Sequence, residues 1–259
     1  MKVLLAEMSW PEVGERLRPN AVAVIPVAAT ENHGPHLPLE TDTRLVTECA
    51  RRAAERVAET IPIVVAPTLT YGFSEHHLAF PGTMSLSIPT YVAVLIELAE
   101  CLIRHGFRKV LYLNGHGGNH EAIQVAVRQV MARHNVVAGA ATYWTVAGRA
   151  LEAANVAEVG GAPGHASGFE TTCMLALRPE LVDLERLPKE DQSQPRESDG
   201  RTTLREMGVM FTPHASQHPA SGIWGDPALV RPERGPAYVE AVVGALAELF
   251  VAFSRTEGY

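Results

Sequence analysis

Four short stretches of this chain concentrate the side chains that hold metals and move protons. The first is Thr30-Glu31-Asn32-His33-Gly34-Pro35-His36-Leu37-Pro38, with Asp42 just beyond it. In an extended segment Glu31 and His33 project to one side, because side chains alternate with a period of two. A carboxylate beside an imidazole suits a borderline divalent metal, and Asp42 could bridge two metals through its two oxygens. Taken alone, the stretch has an equally open second reading, in which Asp42 caps a helix starting near Arg44 and Glu31 pairs with His33 at the surface.

The second stretch is Asn114-Gly115-His116-Gly117-Gly118-Asn119. Its glycines let the backbone approach a ligand and aim helix N-terminal N–H groups at an anion. It has neither a Lys-Ser/Thr pair nor G-x-G-x-x-G spacing, so nucleotide binding is a poor fit and His116 is the residue that matters. In the third, His165-Ala166-Ser167-Gly168-Phe169-Glu170-Thr171-Thr172, Glu170 falls in the first turn of a helix. The helix dipole favours a carboxylate there whatever its role. The alternative makes Glu170 a metal ligand and His165 the group that moves protons, and the residues alone leave both open. The fourth, Gly72-Phe73-Ser74-Glu75-His76-His77 leading to Phe80-Pro81-Gly82-Thr83, reads as substrate contact or as a segment that shapes the site. Adjacent side chains point opposite ways in most backbones, so at most one of His76 and His77 is expected to face a metal. The expected substrate contacts are His76, Gly117, Gly118 and Asn119. His214 and His218 have helical spacing, but Pro213 and Pro219 argue against a helix there. His105 and His134 lie near helix ends, where they complement the dipole.

Parts of the chain with regular periodicity must position these stretches. Val22 to Val27, Ile63 to Ala66 and Val110 to Leu113 are apolar, β-branched runs that suit parallel strands buried on both faces, and Val136 to Tyr143 is a further strand. Helices are expected over Arg44 to Glu59, Thr90 to Arg104 (with Ser87 and Pro89 as start signals and Gly106 as a stop), Glu121 to Arg133, Phe169 to Leu177 and Pro236 to Phe253. The alternation gives an α/β fold with helices on both sides of a mostly parallel sheet, and the length fits one domain over residues 1–259. Leu187 to Arg201 is polar and reads as a surface excursion. In open α/β sheets ligands bind beyond the carboxyl ends of the strands, where all four stretches would empty.

The formal charge of -7 arises from 29 acids and 22 bases without a basic block, which argues against a nucleic-acid surface and for a small-molecule or short-peptide substrate. The opening Met1 to Trp10 stops well short of a signal-peptide core, and no later apolar run is expected to reach the length a bilayer span requires, so the expected location is cytoplasmic. Cys49, Cys101 and Cys173 lack metal-ligand spacing and are expected to be reduced, buried thiols.

At these motifs the sequence resembles the creatininase (creatinine amidohydrolase) family. The match runs through Glu31 to Pro38, Asp42-Thr43, Phe80 to Thr83, Asn114 to Asn119, and His165 with Glu170-Thr171. The resemblance implies a three-layer α/β/α sandwich, two divalent metal ions per chain (zinc first, manganese or iron as alternatives) and a homo-oligomer, often a hexamer. It would make Glu31 and His116 ligands of one metal, His33 and Glu170 ligands of the other, Asp42 the bridge, and His165 the proton donor to the leaving nitrogen of an amide, formamide or peptide. Creatinine hydrolases carry Tyr-Glu after the loop histidine where this chain has Gly117-Gly118, and a Gln where it has Asn32. The Gly-Gly form is shared with formamidopyrimidine deformylases and mycofactocin precursor peptidases. Ser221-Gly222-Ile223-Trp224-Gly225-Asp226-Pro227 is closer to the latter. The competing readings are a creatinine amidohydrolase proper, a lactone hydrolase using the same machinery, and a non-catalytic metal- or ligand-binding protein on the same fold.

Overall fold

A computed structural model describes residues 1–188, 207 and 220–257. His214, His218 and most of the polar excursion at Leu187 to Arg201 lie outside the described residues. The four expected strands form as β1 (Val22–Val27), β2 (Ile63–Val65), β3 (Lys109–Asn114) and β4 (Val137–Thr142), a fully parallel sheet in the order β2-β1-β3-β4. The helices are α1 (Trp10–Gly14), α2 (Thr41–Val57), α3 (Ile88–His105), α4 (His120–Arg133), α5 (Tyr143–Val146), α6 (Gly148–Ala153), α7 (Gly168–Leu177) and α8 (Gly235–Arg255).

Strand alternation divides the core into two layers. Val22 and Val24 of β1 face the side covered by α2, α7 and α8, where Leu45, Cys49, Phe169, Val242 and Phe250 pack. Ala23, Ile25 and Val27 face the side covered by α3 and α4, with Tyr91, Leu95, Ile123 and Ala126. The result is the expected α/β/α sandwich. Pro26 sits in a central strand because its carbonyl, and therefore the side on which an N–H would lie, faces Leu69 beyond the end of β2, where no ladder partner is lost.

Two expectations are corrected. The stretch Pro232–Arg255 is long and apolar enough to cross a bilayer, but Tyr238, Val242, Leu246 and Phe250 on α8 are buried in the core beside α2 and α7. Cys49 and Cys173 are buried, whereas Cys101 is exposed, because it lies on the solvent side of α3.

From β1 the chain crosses to β2 on one side and then returns to β3 on the other. The carboxyl ends of β1 and β3 therefore border the crevice at a topological switch point. Val27 and Asn114 are register partners at that edge. The loop after one strand carries Glu31 and His33, and the loop after the other carries His116.

Candidate metal centre

The structure brings Glu31, His33, Asp42, His116 and Glu170 to one place. α2 starts at Thr41, three residues before the expected position, so Asp42 lies inside its first turn and does not cap it. Asp42 Oδ1 is 3.1 Å from His33 Nε2 and Oδ2 is 3.2 Å from His116 Nδ1. Glu31 Oε1 is 3.2 Å from the same His116 nitrogen, and Glu170 Oε2 is 3.9 Å from His33 Nε2. Glu31, Asp42 and His116 form one set of potential ligand atoms within 4.8 Å of one another; His33, Asp42 and Glu170 form another. Asp42 is common to both, with one oxygen toward each histidine. All five side chains are buried, which removes the surface-pair reading of Glu31 and His33.

Backbone carbonyls orient the imidazoles. His33 Nδ1 donates to the Glu31 carbonyl at 3.2 Å, His116 Nε2 to the Phe73 carbonyl at 3.0 Å and His165 Nε2 to the Asn32 carbonyl at 2.8 Å. Each ring thereby turns its other nitrogen toward a carboxylate, as metal-binding histidines do when an outer partner fixes the tautomer. His165 Nδ1 lies 3.6 Å from Glu31 Oε1. Its loop is held by reciprocal backbone bonds with Trp224, each 2.8 Å. The left-handed backbone of Ala166 (φ 50°) turns its N–H onto Glu170 Oε2 at 2.6 Å.

Within the cluster, buried carboxylates and imidazoles shift one another's proton affinities in opposite directions. Burial alone would lower His33, but the charges of Asp42, Glu170 and Glu31 outweigh it and raise the ring to about 10. His116 is raised well above its ordinary value in the same way, against its burial, chiefly by Glu31 and Asp42. Burial would raise Glu31, yet His116, His77 and His165 hold it well below the usual carboxylate range. Burial pushes Glu170 up to about 8, His33 opposing and Asp42 reinforcing the shift. His165 is pushed well below its ordinary value by burial and by His33 nearby, so it is neutral at physiological pH.

These residues fit divalent cations. Both oxygens of Glu31, and Oδ2 of Asp42, are buried without a hydrogen-bond partner among the described residues. Burying a carboxylate costs several kcal/mol unless a cation compensates it. Glu31, Asp42 and Glu170 line one cavity of about 560 Å³, and none of the described residues lining it is a lysine or arginine.

The expected substrate contacts divide. Gly117, Gly118 and His76 line the cavity. Asn119 does not: it is buried, accepting from the Phe73 amide and donating to the Ala28 carbonyl, each at 3.0 Å, and so ties the loops after β1, β2 and β3 together. The premise that adjacent side chains point opposite ways, on which at most one of His76 and His77 is expected to face a metal, does not hold here. Glu75–His77 is a 3₁₀ helix, in which successive side chains turn by about 120° and not 180°, so both rings line the cavity with centroids 4.4 Å apart. His77, Trp144 and Trp224 line the cavity as well, although none of them is among the expected substrate contacts. The Ser221 to Pro227 motif held the signal for Trp224, whereas Trp144 lies in a short helix without distinctive spacing.

The family profile described as "Creatininase: Creatinine amidohydrolase" matches residues 6–250. A mycofactocin precursor peptide peptidase of Mycobacterium ulcerans is 34% identical over 184 residues, 69% of this chain and 63% of that one, so the match spans less than two thirds of that relative's length. A creatinine amidohydrolase of Pseudomonas putida is 33% identical over 202 residues, 71% of this chain and 75% of its own. Among solved structures, a Zn-Zn type creatininase point mutant has a TM-score of 0.79 at 26% identity, covering 99% of this chain and 100% of that one. A manganese form of creatininase has a TM-score of 0.80 at 27% identity with the same coverage.

Proposed function

The chain belongs to the creatininase family, and we propose that it is a metal-dependent amidohydrolase that cleaves an amide or peptide C–N bond at a two-metal centre. One observation carries this reading: the two oxygens of Asp42 face His33 and His116 separately, each within a set that a second carboxylate completes. Glu31 and His116 would hold one ion, His33 and Glu170 the other, and Asp42 both. When bound, two divalent cations would supply the positive charge that polarises the substrate carbonyl and acidifies the attacking water. Zinc is the first expectation, since the solved relatives include a Zn-Zn type, with manganese and iron also suited to these ligands.

His165 moves the proton. It is neutral, its Nε2–H is committed to the Asn32 carbonyl, and Nδ1 is the atom available toward the cavity. It takes up a proton at Nδ1 as water adds to the carbonyl and returns it to the departing nitrogen.

Gly117 and Gly118 stand where creatinine hydrolases carry Tyr-Glu, and a cavity of about 560 Å³ far exceeds what a single five-membered ring needs. The absence of lysine and arginine among its described lining residues disfavours a nucleotide substrate, whose phosphate would need a cationic clamp. A peptide or neutral amide is therefore preferred over creatinine or a formamidopyrimidine nucleotide. The family resemblance extends the proposal to a homo-oligomer, of which a hexamer is one form, and the proposed location is the cytoplasm.

Elemental analysis of the parent and of Glu31→Gln, His116→Ala and Glu170→Gln tests this reading. The parent should hold about two metals per chain and each variant at least one fewer. Retention of both metals by Glu170→Gln would remove Glu170 from the ligand set. A parent that takes up no zinc, manganese or iron would end the proposal.

A further inference from the structure

Beyond the carboxylates and histidines, the cavity is walled by Phe73, Ile88, Val125, Trp144 and Trp224. Two of these are exposed although they are aliphatic. Ile88, the first residue of α3, is 48% exposed, and Val125, in the second turn of α4, is 44% exposed. Both also line the groove between α3 and α4, where Val92 and Ile96 close the seam at 8% and 5% exposure. Ile88 and Val125 thus belong both to the groove between α3 and α4 and to the cavity that holds Glu31, Asp42 and Glu170. The apolar pair and the carboxylates therefore face one shared cavity.

Building on the amidohydrolase reading, we propose that Ile88 and Val125 form a subsite for an apolar side chain of the substrate, so that the enzyme selects peptides or acylated amides carrying an aliphatic or aromatic residue beside the scissile bond. Glu121, one turn before Val125 on α4, stands at the rim of the cavity and disfavours an anionic group there. An uncharged, apolar segment is the chemistry that matches both. Burying a leucine-sized side chain against such a wall supports about tenfold or greater selectivity over glycine.

The test compares binding of N-acetyl-leucinamide and N-acetyl-glycinamide by calorimetry, with the parent and with an Ile88→Ser/Val125→Ser double variant, each in metal-loaded and chelated form. The parent should bind the leucine compound about tenfold more tightly, and the variant should bring the two within about threefold while holding as much metal as the parent. An Ile88→Ala/Val125→Ala pair repeats the comparison should the serine pair fold poorly. Absence of a leucine preference in the parent, whether both compounds bind or neither does, overturns the subsite, as does a preference that survives in the variants. Sedimentation of the same samples identifies the alternative occupant: a variant that loses oligomeric order, from a parent without leucine preference, assigns the patch to a second copy of the chain. A parent that binds metal and hydrolyses amides yet shows no preference sinks the subsite alone. A parent that prefers leucine without holding metal sinks the two-metal reading alone.

Discussion

The side-chain amide of Asn32 donates to Nδ1 of His77 at 3.2 Å, and the direction of that bond fixes what His77 does to Glu31. Asn32 Oδ1 already accepts from the Gly34 amide at 2.9 Å, so its nitrogen is the atom that faces His77. With Nδ1 accepting, the His77 proton sits on Nε2, 3.4 Å from Glu31 Oε1. Glu31, His76 and His77 meet the distance condition for a metal set, but this tautomer turns the His77 N–H toward Glu31, so the ring steadies that carboxylate electrostatically and is not a rival ligand.

His77→Ala should therefore weaken metal binding about 10- to 100-fold without changing the number of sites, as loss of an outer partner of a ligand does. His77→Gln, whose amide can still donate, should recover most of the loss. Competition with a chromophoric chelator reads both values, and an alanine variant that binds as tightly as the parent would show that Glu31 needs no such donor.

The two glycines after His116 should respond in opposite ways. A Cβ at Gly117 meets nothing within 4 Å, whereas one at Gly118 runs into the Phe73 carbonyl and comes to 2.5 Å from His116 Nε2, breaking the bond that orients the ring. Gly117→Ala should leave metal content and stability within experimental error. Gly118→Ala should lose metal and destabilise by about 1–3 kcal/mol, the range for overpacking. Equal behaviour of the two variants in metal analysis and denaturant melts would contradict this geometry.

Much of this was legible in the sequence, for identifiable reasons. Val22 to Val27 and Lys109 to Asn114 carry the apolar, β-branched character of buried parallel strands, and their order places Glu31 and His116 at one edge of the sheet. Asp42 was harder to place, because the same residue two positions ahead of Arg44 suits a cap or a bridge, and only the earlier start of α2 decides between them. Asn119 misled because loop position suggests ligand contact, while its role is set by two backbone groups distant in sequence. The inward turn of both His76 and His77 depends on a three-residue 3₁₀ helix, for which a sequence holds no periodic signal.

Thiol chemistry checks the packing of α2, α3 and α7. Burial pushes the Cys49 thiol up to about 12, and Cys173 is raised well above the ordinary range by burial and by Cys49 nearby, whereas Cys101 is exposed. A thiolate-selective reagent should modify about one thiol per native chain and about three after unfolding. Rapid labelling of more than one in the native protein would contradict the burial of α2 and α7.

His36 gives the last prediction. Its ring is buried, with Nε2 paired to Thr171 Oγ1 at 2.8 Å and Nδ1 without a hydrogen-bond partner among the described residues. The bond joins the loop after β1 to α7, one residue past Glu170. Burial, with the charge on His33, lowers the ring to about 4. The unfolded chain therefore takes up this proton near pH 6.5 and the folded chain only near 4, so stability present above 6.5 falls as the pH drops through that window. The full shift corresponds to about 3 kcal/mol, of which about 2 kcal/mol is lost between pH 7 and pH 5. His36→Gln can keep a bond to Thr171 but cannot titrate. In denaturant melts of chelated protein, the parent should lose about 2 kcal/mol more than this variant between those pH values. Parallel stability curves would mean that His36 is not held neutral by the fold.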